Sequence, residues 1–254
     1  MIQAASFSVQ RAADRACFDH GWLKTCHSFS FASYYDPQNV NWGALRVLND
    51  DVVAPGQGFP THPHRDMEII TYVLAGHLEH TDSTGSHGVV GPGGAQFMSA
   101  GTGVQHSEFN YSKDRPLHFL QMWVLPRELG SRPAYGQIEF TDGERLNRWL
   151  PVASGYPKVE APVKITADAA FLVTHVADGA FVRHPFAPHR LGFLFLAAGT
   201  ANVEALSETD EVVASESLSA GDAVRMSNIG RVILRADREA IAVLWDLAKE
   251  DLHT

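Results

Sequence analysis

Short apolar runs, broken by Gly, Pro, Asn and Asp, recur along the whole chain. They predict strands at 44–53, 68–74, 96–99, 117–125, 191–196, 203–206, 222–226, 232–236 and 240–247. No long segment with helical spacing competes with them. Turn signals such as Asp82-Ser83-Thr84-Gly85 and Gly91-Pro92-Gly93-Gly94 separate the runs, a pattern shared by sandwiches and small closed barrels. The expected fold class is all-β.

The strand signal weakens between about 141 and 167, where the chain is polar and carries Gly155-Tyr156-Pro157 and Ala161-Pro162. That composition reads as a connection between two domains, 1–140 and 168–254, with 141–167 as linker. The halves echo one another. Val73-Leu74-Ala75-Gly76 recurs as Leu196-Ala197-Ala198-Gly199, and Gly93-Gly94-Ala95-Gln96-Phe97-Met98 as Ala220-Gly221-Asp222-Ala223-Val224-Arg225-Met226. Two β-barrel domains of common plan are expected.

Composition narrows the partners. The 45% hydrophobic content of 254 residues fills ordinary cores. A net charge of -9, from 20 Lys plus Arg against 29 Asp plus Glu, opposes binding to a phosphate backbone, so no direct nucleic-acid contact is expected. The start Met1-Ile2-Gln3-Ala4-Ala5-Ser6-Phe7 lacks a signal-peptide pattern, and no stretch is long and apolar enough to span a bilayer. A cytoplasmic location and no membrane partner are therefore expected, and with them Cys17 and Cys26 as free thiols.

One constellation carries chemistry. Side chains two apart in a strand share a face, so His62 and His64 in Thr61-His62-Pro63-His64 can address one ion. Gln105-His106-Ser107-Glu108 repeats the geometry with an imidazole and a carboxylate. Four ligand-type side chains in two such pairs point to one divalent transition-metal ion held by His62, His64, His106 and Glu108. Glu68 shares the parity of His62 and His64 if that strand runs unbroken, and is the rival fourth ligand or a partner for a histidine N–H.

The spacing Gly56-x5-His62-x-His64-x3-Glu68, followed by Gly76 and then Gly101-x-Gly103-x2-His106-x3-Asn110, resembles the cupin signature of small metal-binding β-barrels. It departs in the placing of Gly76 and in having Gly101 where proline is usual. Longer stretches look like the pirin family, its bacterial branch above all: Phe29-Ser30-Phe31-Ala32-Ser33-Tyr34-Tyr35-Asp36-Pro37, Leu45-Arg46-Val47-Leu48-Asn49-Asp50, Gly58-Phe59-Pro60-Thr61-His62-Pro63-His64-Arg65-Asp66-Met67-Glu68 and Ala100-Gly101-Thr102-Gly103-Val104-Gln105-His106-Ser107-Glu108. This resemblance runs from about Gly21 to Pro126 and weakens beyond. It implies a bicupin with metal in the N-terminal barrel, usually iron, and selects Glu108 over Glu68. It also implies one of two activities, a quercetin 2,3-dioxygenase or a metal-dependent transcriptional cofactor.

The second half bears on metal count without the family. Aligning Gly76 with Gly199 carries His62 and His64 to Pro185 and Ala187, and aligning Gly94 with Gly221 carries His106 and Glu108 to Ile233 and Arg235. None of these is a ligand, and His184 and His189, five apart, fall on opposite faces of a strand. Elsewhere, His77 and His80 read as hairpin-surface residues, and His20, His27, His87 and His175 have no evident partners. Gln121 shares a face with Phe119 and Trp123 and either lines a pocket or satisfies buried backbone. Phe59 is a candidate pocket wall, and the acidic run 208–216 a solvated hairpin.

Four protein ligands on an octahedral-type ion leave room for an oxygen-donor substrate and dioxygen. The resemblance makes the substrate a flavonol-like small aromatic and the ion iron, with copper, nickel or zinc open to the same donors, so the expected activity is ring opening by dioxygen with Glu108 as catalytic proton acceptor. The competing reading is a protein-interaction module whose surface changes with metal occupancy or redox state, with a protein partner and no turnover.

Overall fold

The computed structural model describes residues 4–249. The first half comprises β1 (Ser6–Gln10), β2 (Ala16–Asp19), β3 (Leu23–His27), β4 (Leu45–Val53), β5 (Gly58–His64), β6 (Glu68–Ala75), β7 (Leu78–Asp82), β8 (His87–Val90), β9 (Ala95–Ser99), β10 (Val104–Asn110), β11 (Leu117–Val124) and β12 (Ala134–Ile138). After the short helix α1 (Asp142–Arg145) come β13 (Leu150–Ser154), β14 (Val163–Lys164), β15 (Ala169–Val176), β16 (Phe181–Pro185), β17 (Arg190–Ala198), β18 (Thr200–Leu206), β19 (Val212–Ser219), β20 (Ala223–Ser227), β21 (Arg231–Ala236) and β22 (Ala240–Ala248). The expected all-β class holds.

Each half pairs a large sheet with a small one. The first half has the orders β12-β9-β6-β11-β4-β3-β2 and β5-β10-β7-β8; the second has β1-β20-β17-β22-β15-β13-β14 and β16-β21-β18-β19. The central quartets β9-β6-β11-β4 and β20-β17-β22-β15 correspond, as do the four-stranded sheets. The echoes in the sequence are thus a duplicated barrel. Gly76 and Gly199 close the equivalent hairpins with φ of 81° in both, and a Cβ there would lie 2.7 and 2.1 Å from backbone oxygen, which is why glycine stands at each.

The large sheets share a core in which Leu48, Ile70 and Met122 meet Phe171, Phe193 and Trp245. The Trp245 indole is fully buried, and its Nε1 donates to Met122 Sδ at 3.3 Å. Packing between the barrels therefore fixes the back of the first large sheet. Its other face is left to line the barrel interior.

Three sequence expectations need correction or refinement. The span 141–167 contains α1, β13 and β14, and β13 pairs antiparallel with β15 in the second large sheet. Pro151 sits beside a register shift in that ladder, where a strand tolerates proline, and this masked the strand in the sequence. The N-terminal strand β1 also crosses over, pairing with β20 of the second half. Cys17 and Cys26, expected as free thiols, form a disulfide, because the β2–β3 hairpin sets them directly opposite with Cα atoms 4.1 Å apart. The run 208–216 forms the turn of the β18–β19 hairpin and the first part of β19, largely exposed as expected. Among the described residues no helix is long and apolar enough to cross a membrane.

Candidate metal centre and cavity

Strands β5 and β10 run antiparallel with His62 opposite His106 and His64 opposite Val104. The ladder slips between His106 and Glu108, so Glu108 faces His80 of β7 on the other side. Three imidazoles converge as a result, with ring centroids 4.5 Å apart for His62 and His106, 4.8 Å for His62 and His64, and 4.9 Å for His64 and His106. One ring nitrogen from each lies within 4.8 Å of the others. A second group of the same tightness joins His106 to His80 and Glu108. The expected set of four is therefore two overlapping groups that share His106.

The outer ring nitrogens fix the tautomers. His62 Nδ1 lies 2.8 Å from Pro60 O and must donate to it, which leaves a lone pair on Nε2. His80 Nε2 donates to Asp82 Oδ2 at 3.3 Å, so His80 Nδ1 accepts from His106 Nδ1 at 3.4 Å, and His106 Nε2 too keeps its lone pair. These two unprotonated nitrogens face each other at 3.0 Å. Lone pairs in that arrangement repel unless a cation lies between them, and adding a proton is unfavourable. Burial, then the neighbouring His62, His64 and His80, hold His106 far below its ordinary range, at about 2. Burial likewise lowers His64 to about 4. The donor set fits a borderline divalent transition ion.

The carboxylates complete the electrostatic picture. Glu108 is 2% exposed; burial first, and then Asp51, push its carboxyl up to about 7 even though Gln96 and Gln121 hydrogen-bond to it. Burial raises Asp51 to about 7 as well. The interior thus lacks positive charge, which a bound cation would supply. At Asp82 burial also opposes ionisation, but hydrogen bonds from Thr84 and His80 outweigh it and hold the carboxyl at about 2. A charged Asp82 keeps the His80 tautomer in place.

Glu108 is oriented by a row of polar side chains on the inner face of the large sheet. His27, Asn49, Gln121, Thr71 and Gln96 stand side by side across β3, β4, β11, β6 and β9. Gln96 Nε2 donates to Glu108 Oε1, and Gln121 Nε2 donates to Oε2 at 2.8 Å. Thr71 Oγ1 donates to Gln121 Oε1 at 3.2 Å and fixes that amide. Gln121 is therefore both a cavity residue and a holder of Glu108.

Glu68 is elsewhere. The chain turns at Asp66, with φ of 48°, and β6 enters the other sheet, which breaks the parity with His62 and His64. The Glu68 carboxylate instead accepts from the backbone N–H of Thr166 at 2.7 Å and of Ala167 at 3.2 Å, at the domain junction. It is neither a ligand-group member nor a partner of these histidines. His80, expected at the surface, is fully buried and stacks on Tyr135 at 4.2 Å. His80-x-Asp82, with the two-residue period of a strand, is the signal that identifies it.

A cavity of about 630 Å³ opens beside the triad, a size suited to a small ligand. His62, His64 and Glu108 line it, together with Phe59, Phe31 and Trp123. Phe59 is thus a wall residue, in edge contact with Trp22 at 5.1 Å. His20 and His27 also line it. A somewhat larger cleft, about 690 Å³, lies on the second domain beside Arg148, Arg183 and His184. It has no converging ligand group; His184 is committed to Asp246 at 2.8 Å. Among the described residues both ligand groups lie in the first barrel, so the chemistry belongs with the smaller cavity.

Comparison with known proteins agrees with this geometry. A family model described as Pirin matches residues 7–124, and one described as Quercetinase C-terminal cupin domain matches residues 151–247. The chain is 40% identical over 230 residues to a pirin-like protein of Caulobacter vibrioides, covering 91% of this chain and 94% of that one. It is 53% identical over 132 residues to a protein named quercetin 2,3-dioxygenase from Escherichia coli K12, covering 52% and 57%. The crystal structure of the Escherichia coli pirin YhhW in complex with nickel(II) superposes with a TM-score of 0.85 at 35% identity, covering 96% of this chain and all of that one. Two cupin barrels, matching family models over both halves and this structural likeness together establish that the chain belongs to the pirin family.

Proposed function

We propose that the protein is a metal-dependent dioxygenase that opens the ring of a flavonol-like aromatic, with His62, His64, His106 and Glu108 holding one divalent ion. The observation that carries this reading is the pair of inward-facing imidazole lone pairs 3.0 Å apart, beside an aromatic-walled cavity. The nickel(II) complex of YhhW supports a divalent ion, and the name of the Escherichia coli relative supports the substrate. Iron is the ion we favour, with copper, nickel and zinc compatible with the same donors.

When bound, the ion supplies Lewis acidity and open coordination positions to a substrate hydroxyl and to dioxygen. The chain's own residues do the rest. The flat walls of Phe59, Phe31 and Trp123 orient an aromatic ligand and exclude water. Glu108 takes the hydroxyl proton on a carboxylate oxygen, while Gln96 and Gln121 keep that carboxylate aimed.

Oxygen-electrode traces with quercetin test the reading. Metal-reconstituted protein should consume dioxygen in step with quercetin, and the metal-free form should not. Uptake no faster than an equal concentration of free metal ion, across several flavonols, would remove the dioxygenase reading in favour of a non-catalytic binding role.

The relay from Asp82 through His80 supplies a separate expectation. His80→Phe keeps the stacking shape against Tyr135 but leaves His106 Nδ1 without its acceptor. Metal affinity should fall about 10- to 100-fold, as when other partners of metal-binding histidines are removed. Competition titration against a chelator measures it, and an unchanged affinity would show that the relay does not set the His106 tautomer.

A further inference from the structure

At the end of the polar row away from Glu108, hydrogen bonding is incomplete. Strands β3 and β4 set Thr25 opposite Asp51 and His27 opposite Asn49, and all four residues line the same cavity as His62, His64 and Glu108. His27 keeps 4% of its surface exposed, and Asn49 and Asp51 keep 3% each. Yet His27 Nδ1, Asn49 Oδ1 and Asp51 Oδ1 have no hydrogen-bond partner among the described residues. In the same row Gln121 and Thr71 are bonded to their neighbours, and the one other unpartnered atom, Gln96 Oε1, belongs to a residue that does not line the cavity.

Buried polar atoms without partners are uncommon in folded proteins, and three from adjacent positions on one cavity wall point to a ligand that supplies the missing bonds. The atoms specify its chemistry. Asn49 Oδ1 accepts only, and Asp51 Oδ1 accepts whenever its carboxyl is ionised, so the ligand must donate; the imidazole of His27 can accept or donate at Nδ1 according to its tautomer. Asp51 opposes a carboxylate or phosphate at this position. Two neighbouring neutral hydroxyls satisfy all three, one donating to Asn49 Oδ1, the other to Asp51 Oδ1, and either of them pairing with His27 Nδ1. The setting is also aromatic, with Phe18 5.3 Å and Phe31 5.1 Å from the His27 ring.

We propose that His27, Asn49 and Asp51 form a hydroxyl-recognition subsite that holds further hydroxyls of a polyhydroxylated aromatic ligand, apart from the one that meets the metal centre. This deepens the dioxygenase reading and rests on it for the choice of probe, but not for its measurement. The subsite favours ligands with such further hydroxyls over those with only the one that meets the metal centre. Rejection is the stronger effect, since a ligand lacking those hydroxyls leaves the buried acceptors unpaired while displacing any water that serves them.

Equilibrium binding to the zinc-reconstituted protein, followed by quenching of tryptophan fluorescence, separates binding from turnover. The probes are quercetin and 3-hydroxyflavone, which retains only the hydroxyl beside the ring carbonyl. Wild type should bind quercetin at least about tenfold more tightly. Asp51→Leu and Asn49→Leu should each weaken quercetin about tenfold and leave 3-hydroxyflavone within about twofold. Asp51→Asn, which keeps an acceptor at Oδ1, should retain most of the preference. Equal weakening of both ligands, no preference in wild type, or binding of neither ligand would each overturn the subsite. The wild-type comparison decides this even if a leucine variant does not fold. Selective binding without oxygen uptake would leave the subsite standing and remove the dioxygenase reading.

Discussion

Alanine at position 106 is expected to empty the metal centre. His106 belongs to both ligand groups, faces His62 Nε2 at 3.0 Å and receives the relay from Asp82 through His80. His106→Ala removes a ligand nitrogen and leaves the remaining donors split between two strands. Affinity for the ion should fall at least about a hundredfold, beyond the loss expected for a partner that only touches a ligand. His62→Ala should act similarly. Chelator competition with elemental analysis after gel filtration measures both, and thermal unfolding of the metal-free forms checks that the barrel persists. Stoichiometric metal held at wild-type affinity by either variant would remove that histidine from the site.

Exchanging each of the two buried glutamates for glutamine should produce opposite outcomes. Glu108→Gln places a third amide against Gln96 and Gln121, whose donated hydrogens then lack a carboxylate, and removes the negative charge facing the ion. Metal affinity should drop by about 10- to 100-fold and oxygen uptake with it. Glu68→Gln should leave both intact and instead cost about 1–3 kcal/mol of stability, because the Thr166 and Ala167 N–H groups lose part of their shared acceptor. The pH dependence follows from Glu108. Its folded carboxyl is raised to about 7, so below that pH a proton must leave before the oxygen can face a cation, and apparent affinity should fall as pH drops through about 7. Glu108→Gln should flatten that dependence. Metal loss on Glu68→Gln with retention on Glu108→Gln would exchange the two assignments.

The histidine triad was legible because two strand pairs, His62-x-His64 and His106-x-Glu108, carry ligand types at the two-residue period, and β5 and β10 do pair. The duplicated barrel was legible from Gly76 and Gly199, where the turn admits no other residue without strain. What escaped the sequence depended on strand partners far apart in the chain. The parity of Glu68 broke at a single left-handed residue, Asp66. His80 read as surface because its neighbours in space, His106 and Tyr135, lie 26 and 55 residues away. Asn49 and Asp51 sit in β4, a strand recognised by its apolar pattern, but that pattern gives no sign that its polar residues face inward. Local rules give way where a wall is built for a ligand.

Anomalous diffraction from crystals of the freshly isolated protein, collected at the absorption edge of whichever metal elemental analysis finds, tests the single-centre account most directly. One strong peak per chain is expected, bounded by the inner ring nitrogens of His62, His64 and His106 and by a Glu108 oxygen, with none in the second barrel. A peak beside His184 in the second domain, or a metal held in the first barrel without His106, would contradict it.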